Sequence, residues 1–281
     1  MNLGELRQTL DENMPVMGVD FSETDFSGFS LQGAVFLNCQ FNACKFSECD
    51  LGRAVFTQCS LNSASFHQCM LSQASFIDGE MNSVVFNGDL TSMTVCQCQL
   101  QKSEWDDVQL NSMTINDCDF SEAKFTNCLW DTVAVTDCKT TSMTLEQCKF
   151  HNVTWVKGIF SSVKIYACEF DQVLLLESEF VGKDFSGITF TRCTCTDSTF
   201  EQCSFSGAVL IESNFSRCQL NDVNYSKSDL TRSLFIESEL DVCNFSEAKM
   251  ENANFQDAKV NGAGFSKSVL KDGWFKKAEL T

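Results

Sequence analysis

The residues of this chain best suited to chemistry are its cysteines. There are 17 of them among 281 residues, together with only two histidines. Thiolates ligate soft metals and act as nucleophiles, and paired thiols form disulfides. Each of these roles requires thiols to be grouped with one another, with histidine or with a cation. The spacing of the cysteines therefore decides which chemistry is available.

Fifteen cysteines lie two residues before a large apolar residue that recurs at every fifth position, and only Cys96 and Cys195 fall elsewhere. At this position cysteine alternates with Ala, Ser and Val, which is typical of a small buried side chain. An alternative is that the column Cys98, Cys118 and Cys138 binds a soft metal, but no histidine accompanies it. We expect no metal site, and we expect the many unpaired thiols to lie in a reducing cytoplasm.

The remaining candidates for catalysis are weak. His67 and His151 each directly follow a large apolar residue, so they should face solvent, and no nucleophile is evident beside either. Phosphate-binding G-x-x-x-x-G-K, zinc-binding H-E-x-x-H and C-x-x-C motifs are missing from the sequence. Surface carboxylates are abundant, but a convex surface lacks the cleft that shifts a pKa. We predict a protein that is not an enzyme and has no cofactor.

A five-residue repeat must position all of these side chains. A large apolar residue, here called the centre, recurs every fifth position from Phe21 to Leu280, with one residue missing between Phe86 and Leu90. In an extended strand the residue two before an inward-facing centre also faces inward, and the residue between them faces out. The two residues after the centre then turn a corner. Each repeat is thus one short side and one corner.

The number of sides in one turn follows from a longer period. Residues stacked in successive turns should share a size preference, and the inward position repeats its preference every 20 residues, as in Met93, Met113, Val133, Val153 and Val173. Four repeats therefore close one turn, and the chain makes about 13 turns. We predict an all-β, parallel, four-sided solenoid and expect a right-handed coil.

Two stretches show which known family this repeat resembles. Ala253-Asn254-Phe255-Gln256-Asp257 and Ser228-Asp229-Leu230-Thr231-Arg232 are similar to the Ala-(Asp/Asn)-Leu-X-X consensus of pentapeptide-repeat proteins. The resemblance covers residues 20–280 and implies a right-handed quadrilateral β-helix. Some members of that family mimic DNA, bind DNA gyrase or topoisomerase IV and protect them from quinolones. Other Cys-rich arrays are associated with bacterial secretion systems, notably type VI, as scaffolds or adaptors.

The repeat predicts one solenoid over residues 20–281, preceded by a cap over residues 1–19. Leu3, Leu6 and Leu10 have helical spacing before Pro15, which predicts a short capping helix. The missing residue in the segment 87–89 should produce a kink.

Two positions should strain the repeat. Gly88 lies where one residue is missing and supplies backbone freedom there. Lys183 falls at an inward position, where we expect local distortion or escape of the ammonium group to solvent.

The net charge of −18 limits the kinds of partner. An acidic surface disfavours direct binding to nucleic acid and to anionic membranes, and favours a basic protein partner. No stretch approaches the ~18 apolar residues of a membrane-spanning helix, and the start of the chain does not read as a secretory signal. We expect a soluble, cytoplasmic protein.

One face combines acids with outward apolar residues, and we take it as the candidate partner-binding face. Two interpretations stay open: an acidic ladder relieved by a base at every third step (Lys157, Arg217, Lys277), or a protein interface. Its residues are Asp117, Asp137, Val156, Leu174, Leu176, Glu177, Glu179, Asp197, Leu234, Ile236, Glu237, Glu239 and Asp257.

The last turn is a candidate contact of a different kind. No capping segment follows Leu280 in the sequence, and Trp274 precedes a centre, so its side chain should face solvent. We expect this end, with Trp274 as an anchor, to be a site of homodimer formation or partner binding.

Overall fold

Backbone pairing in this protein repeats every 20 residues. In the computed structural model, which describes all 281 residues, Val35, Phe36 and Leu37 pair in parallel with Val55, Phe56 and Thr57. The same offset holds for Thr114 with Ala134 and for Glu239 with Lys259. The prediction of a parallel β-solenoid with four repeats per coil is therefore confirmed.

The chain divides into two units. Unit 1 comprises Met1–Cys148 with Val163–Tyr166, and unit 2 comprises Lys149–Ser162 with Ala167–Thr281. Unit 1 contains the helix α1 (Leu3–Asp11) and the strands β1 (Val16–Met17), β2 (Val35–Leu37), β3 (Lys45–Ser47), β4 (Val55–Thr57), β5 (Ser65–His67), β6 (Ser75–Ile77), β7 (Val85–Thr91), β8 (Thr94–Cys96), β9 (Glu104–Asn111), β10 (Thr114–Asn116), β11 (Lys124–Thr126), β12 (Leu129–Asp131), β13 (Ala134–Thr136), β14 (Thr144–Glu146) and β17 (Lys164–Tyr166).

Unit 2 is built in the same way. Its strands are β15 (Lys149–His151), β16 (Thr154–Val156), β18 (Glu169–Asp171), β19 (Leu174–Leu176), β20 (Glu179–Val181), β21 (Thr189–Thr191), β22 (Thr199–Glu201), β23 (Gln219–Asn221), β24 (Glu239–Asp241), β25 (Lys259–Asn261) and β26 (Glu279–Leu280). Elsewhere single pairs of residues in parallel register continue the ladders between the strands.

Each unit has four sides, which we name A to D in chain order around a coil. Side A of unit 1 consists of β1, β2, β4, β6, β8, β10 and β13. Side A of unit 2 begins with β16 and β19 and continues through bridges at Thr194, Asn214, Leu234, Asn254 and Trp274. Side B follows side A along the chain and includes β20 and β22 to β26 in unit 2. Side C includes β3, β5, β11, β14 and β17, and side D includes the bridge between Asp50 and Met70 and the strands β12, β15, β18 and β21.

The corners use left-handed backbone. The residue two after nearly every centre has a positive φ, for example 52° at Asp117, 59° at Asp197 and 56° at Glu237. This conformation is tolerated best by glycine and by short polar residues that hydrogen-bond locally. The corners therefore carry polar side chains outward.

Stacked aromatic rings fill the interior. The centroids of Phe46 and Phe66 are 4.7 Å apart with planes 2° from parallel, and those of Phe180 and Phe200 are 4.6 Å apart at 7°. All centres from Phe21 to Tyr225 are buried except Ile165, which is half-buried. Each ring thus packs on the ring one coil below it, as in-register stacking requires.

The inward cysteines are buried, as predicted, and only Cys96 is half-buried. Their thiols also form hydrogen bonds that the sequence does not reveal. The Cys49 thiol donates to the carbonyl of Phe26 at 2.8 Å, and the Cys44 thiol to that of Phe21 at 3.0 Å. In both cases the acceptor is the carbonyl of a centre 23 residues earlier, in the preceding coil. The thiol therefore also satisfies a buried backbone acceptor.

At the chain start, α1 is fixed by a capping box. The Asn2 side chain accepts hydrogen bonds from the backbone N–H groups of Gly4 and Glu5, and the Glu5 carboxylate accepts one from Asn2 N–H at 2.9 Å. Leu6 is completely buried, and the guanidinium of Arg7 lies over the ring of Phe29.

The missing residue changes one corner of unit 1. Strand β7 continues through this corner for seven residues, and its register against β9 shifts between Phe86 and Gly88. Gly88 has φ of 117°, and a side chain there would meet the Gln68 backbone at 3.3 Å. The corner is thus replaced by extended backbone that only glycine accommodates.

Lys183 lies at its inward position half-buried. Burial lowers the pKa of its ammonium group from the usual value. Its backbone stays in the ladder, because the Lys183 carbonyl accepts a hydrogen bond from Ser204 N–H at 2.8 Å.

Candidate protein-binding surface

The acidic column of the candidate face runs along the corner between sides A and B. In unit 1 it includes Asp117 and Asp137, both exposed and both with φ of 52°. Asp119, the next outward residue on side B, accepts hydrogen bonds from the N–H and hydroxyl of Ser121. These carboxylates project outward because the left-handed corner turns the backbone away from the core.

In unit 2 the bases of this column are already engaged by acids. Arg217 donates two hydrogen bonds to Asp197, at 2.8 and 2.7 Å, and they lower the pKa of the Asp197 carboxyl. Lys277 lies 3.8 Å from Asp257, and Lys259 lies 2.7 Å from Glu239 on side B. Each pair joins residues 20 apart, in adjacent coils. For these residues the structure favours the ladder interpretation.

The apolar residues of the candidate face form two clusters. Val156, Leu174 and Leu176 lie together, because Thr154 pairs with Leu174 and Val156 with Leu176. Leu234 and Ile236 lie three coils further along unit 2, beyond coils that present Thr194, Thr196, Asn214 and Ser216. Leu174 is 37% exposed, and the other four are half-buried.

Side A has a second property that the prediction missed. Its outward residues in unit 1, which we call the uncharged wall, include no charged side chain. The wall consists of Pro15, Met17, Val35, Leu37, Val55, Thr57, Ser75, Ile77, Thr94, Cys96, Thr114, Asn116, Ala134 and Thr136. On the other three sides of unit 1, 14 of 42 equivalent positions are charged.

The signal for this wall is present in the sequence. The residues immediately before and after each side A centre, taken every 20 residues, are uncharged throughout unit 1. The corner position two after the centre does not show this. In unit 2 the same reading of side A finds one charge, Lys276, among 14 positions. The clusters around Leu174 and Leu234 belong to this side.

Depressions of two kinds lie in unit 1. One, of about 390 Å³, borders the uncharged wall where the segment after α1 passes it, and Leu10, Met14, Pro15, Val35 and Leu37 contribute to its lining. The other, of about 310 Å³, is a shallower polar depression on side D. The first is mostly apolar and continuous with the wall.

Trp274 is 61% exposed on side A of unit 2, paired with Asn254. Its exposure agrees with the prediction, whereas its role in homodimer formation stays a prediction. The one helix, α1, has nine residues and is too short to span a bilayer.

Neither histidine is hydrogen-bonded to a nucleophile, although Ser47 lies opposite His67 on the neighbouring strand. His151 Nδ1 lies 3.2 Å from an Asp171 oxygen, and Asp171 also accepts from Arg192 at 2.6 Å. The hydrogen bond from Arg192 lowers the pKa of the Asp171 carboxyl. His67 is exposed on β5. This arrangement is an ion-pair cluster on a strand surface, where no cleft surrounds it.

Two family models match this chain. The one described as pentapeptide repeats (8 copies) matches residues 17–53, 39–78, 49–88, 168–207 and 189–224, and the one described as a pentapeptide repeat region matches residues 209–281. The matches thus cover 17–88 and 168–281. No curated protein matches the chain.

Solved structures of low sequence identity are also similar. The pentapeptide-repeat protein Rfr23 from the cyanobacterium Cyanothece 51142 is 16% identical over 38% of this chain and 88% of its own, with a TM-score of 0.37. Trypsin-treated QnrB1, a plasmid-mediated fluoroquinolone resistance protein, is 18% identical over 71% and 88%, at 0.41. HetL from Nostoc sp. strain PCC 7120, involved in heterocyst differentiation regulation, is 15% identical over 99% and 96%, at 0.23.

Proposed function

We propose that this chain, which belongs to the pentapeptide-repeat family, is a non-catalytic protein-binding module whose acidic unit 1 docks on a basic, DNA-binding surface of its partner. The most specific form of the proposal is a DNA mimic that binds a type II topoisomerase, either DNA gyrase or topoisomerase IV. Binding there would inhibit the enzyme or protect it from quinolone-type poisons.

The observation that carries this proposal is the uneven distribution of charge. Unit 1 has 20 acidic and 7 basic residues, a net charge of −13, whereas unit 2 has 18 acidic and 13 basic residues, a net charge of −5. Unit 1 has about seven coils, or about 34 Å at the ~4.8 Å strand spacing. It therefore carries one net negative charge per ~3 Å, against one per ~1.7 Å in B-DNA.

The acids of unit 1 are also poorly compensated. Lys124 and Glu146 form an ion pair at 3.6 Å within it, but Asp78, Glu80, Asp117 and Asp119 have no base within ion-pair distance. These four lie on the A/B corner and on side B, within two coils of one another. A basic surface that normally holds phosphates would gain favourable charge contacts here, and release of counterions would make binding salt-dependent.

A supercoiling assay tests this proposal. Purified gyrase is assayed with the full chain at micromolar concentration, with and without ciprofloxacin. Two matched variants each neutralise four acids. The unit 1 variant carries Asp78→Asn, Glu80→Gln, Asp117→Asn and Asp119→Asn. In unit 2 the control variant carries Glu177→Gln, Glu179→Gln, Glu237→Gln and Glu239→Gln.

We expect the unit 1 variant to need about tenfold more protein for the same effect, and the unit 2 variant to change it by less than about threefold. Failure of the unaltered chain to affect gyrase or topoisomerase IV would remove the topoisomerase proposal. Equal losses in the two variants would show that only overall charge matters, and that unit 1 is not the docking surface.

A second candidate function is an interaction scaffold or adaptor without DNA mimicry, for example one serving a type VI secretion system. The apolar clusters of unit 2 favour it, because Leu174, Leu176 and Ile236 lie on a side with almost no charge. Leu176→Asp and Ile236→Asp test it in a pull-down from a bacterial lysate. Partner recovery unchanged in both variants would exclude this face.

A further inference from the structure

We propose that the uncharged wall of unit 1 is a docking surface for a basic amphipathic helix of a partner protein, lying lengthwise across the stacked strands. This goes beyond the proposed function, which depends on charge density and not on the wall. Three features of unit 1 support it: the dimensions of the wall, its apolar chemistry and the distribution of charge along its two long edges.

The dimensions fit one helix. Seven parallel strands at ~4.8 Å spacing make the wall about 29 Å long, and three residues at ~3.3 Å make it about 10 Å wide. An α-helix with its side chains is about 10 Å across and rises 1.5 Å per residue, so about 19 residues would span the wall. The strands pair without a bulge along it, from β1 and β2 to β10 and β13.

The chemistry fits the apolar face of such a helix. Met17 is 61% exposed and Val35 is 36% exposed, while Leu37, Val55 and Ile77 are half-buried. These side chains adjoin one another, because Met17 pairs with Leu37, Val35 with Val55, and Thr57 with Ile77. Contiguous exposed apolar area rimmed by polar residues marks an interaction surface.

The edges of the wall differ in charge, and this indicates the partner's charge. Along the A/B corner lie Asp78 and Asp117, with Glu80 and Asp119 next to them on side B. The opposite edge is neutral over the same coils, with Ser92 and Ser112 at its corner. A helix whose apolar stripe is flanked by Lys or Arg would place its bases against the acidic edge.

This charge argues against the other occupants of an apolar wall. A second copy would bring another net charge of −18 to the surface, and an anionic membrane would repel unit 1. The depression of about 390 Å³ at one end, lined by Leu10, Met14 and Pro15 among others, can take a large apolar anchor side chain of the helix.

The test uses the full chain and defined peptides. The probe is a fluorescein-labelled 18-residue peptide of Leu and Lys with an amphipathic pattern, and its control has Glu at every Lys position. Fluorescence anisotropy measures binding, and far-UV circular dichroism measures helix formation. We expect the Lys peptide to bind and become helical, and the Glu peptide not to bind at a tenfold higher concentration.

Two variants separate the wall from overall charge. Val55→Lys places a positive charge on the wall, and Met70→Lys makes the same kind of change at an exposed apolar residue of side D. We expect Val55→Lys to weaken binding of the Lys peptide about tenfold and Met70→Lys to weaken it less than about twofold. Sedimentation velocity of the unaltered chain and of both variants accompanies the titrations.

Equal losses in the two variants, or no binding of the Lys peptide, would overturn the proposal. A dimer of the unaltered chain that Val55→Lys dissociates would also overturn it and assign the wall to a second copy. The proposed function is tested independently of the wall. We expect Val55→Lys to change any effect of the chain on gyrase by less than about threefold relative to the unaltered chain.

Discussion

Units 1 and 2 share a coil but differ in how they treat charge. In unit 2, bases and acids stack one coil apart, as in Arg217 with Asp197, Lys249 with Asp229 and Lys259 with Glu239. In unit 1 the net charge is −13 and most acids lack such a neighbour. Stacked like charges at strand spacing repel, so unit 1 retains an electrostatic cost that unit 2 relieves. Repulsion between the acids of unit 1 does not help the unit to fold. It is explained if these acids bind a partner.

The inward position differs as well. Unit 1 has 10 of the 15 cysteines at this position, whereas unit 2 often has serine there. Some hydroxyls do the same work as the thiols: Ser213 donates to the Phe190 carbonyl at 2.6 Å, as Cys49 does to that of Phe26. Others, such as Ser228 and Ser238, donate instead to the carbonyl of the centre three residues before them. The comparison shows that this position selects a small side chain, whether or not it can donate a hydrogen bond, and that sulfur chemistry is not required of it.

The largest predicted effect tests whether the two cores are equivalent. Phe66→Ala in unit 1 and Phe235→Ala in unit 2 each remove a buried ring stacked between two others, at 4.7 and 4.9 Å for Phe66 and at 5.4 and 4.8 Å for Phe235. Each should lower the free energy of unfolding by about 3 to 5 kcal/mol, because the rigid coil cannot close the cavity.

Urea denaturation followed by circular dichroism measures both losses. Phe29→Ala is the control. The Phe29 ring is half-buried and not stacked between two others: it meets Phe26 edge-on, and the Arg7 guanidinium lies over it. A loss in one unit less than half of that in the other would contradict the view that the units differ only in their surfaces and small inward residues.

The fold was predictable because a five-residue period leaves few alternatives. Phe and Leu centres, small residues two before them and polar corners can all be satisfied only by a coil of short sides. What the period could not show is local. The extended path at Gly88 depends on how the Phe86 and Trp105 strands realign, and the hydrogen bonds of the thiols depend on where the carbonyls of the centres point.

The candidate site was predictable only in part. The sequence placed Asp197 and Arg217 on one corner, but their pairing at 2.7 Å depends on side-chain reach between coils. The difference in charge between the units could be counted only once the structure placed the division at Cys148. The uncharged wall was readable, since Val35, Val55 and Ile77 stand where other sides have polar residues.

A smaller effect tests a buried hydroxyl group without a hydrogen-bond partner in the core of unit 2. The Tyr225 hydroxyl is completely buried without a hydrogen-bond partner, and burial raises its pKa well above the usual value. Tyr225→Phe should raise the free energy of unfolding by about 1 kcal/mol, because it removes a desolvated hydroxyl and keeps the ring. The reciprocal variant in unit 1, Phe125→Tyr, should lower it by about 1 to 3 kcal/mol. A destabilised Tyr225→Phe protein would contradict this view.

A pH-dependent effect distinguishes the inward position of unit 2 from that of unit 1. Burial lowers the pKa of Lys183, so between its folded pKa and the usual 10.5 the unfolded state binds more protons. Stability should therefore rise with pH through that window. Lys183→Met should abolish this rise and stabilise the protein at pH 7 by up to about 1 kcal/mol.

Unit 1 has Ala123 at an equivalent position, and Ala123→Met is the control for added volume. A rise with pH that persists in Lys183→Met would exclude Lys183 as its source.

The smallest effect concerns the ion-pair ladders that separate the two units. Lys249→Gln removes the pair with Asp229, whose atoms are 3.2 Å apart, and Gln97→Lys places a base one coil from Asp117 in unit 1. The first should lower and the second should raise the free energy of unfolding by about 0.2 to 1 kcal/mol at low salt. Both differences should shrink in 1 M NaCl, where the screening length is ~3 Å. If Gln97→Lys also weakens the effect on gyrase, the missing base in unit 1 serves binding at the expense of stability. If Gln97→Lys stabilises the protein and leaves that effect unchanged, the acidic character of this corner has no part in partner recognition.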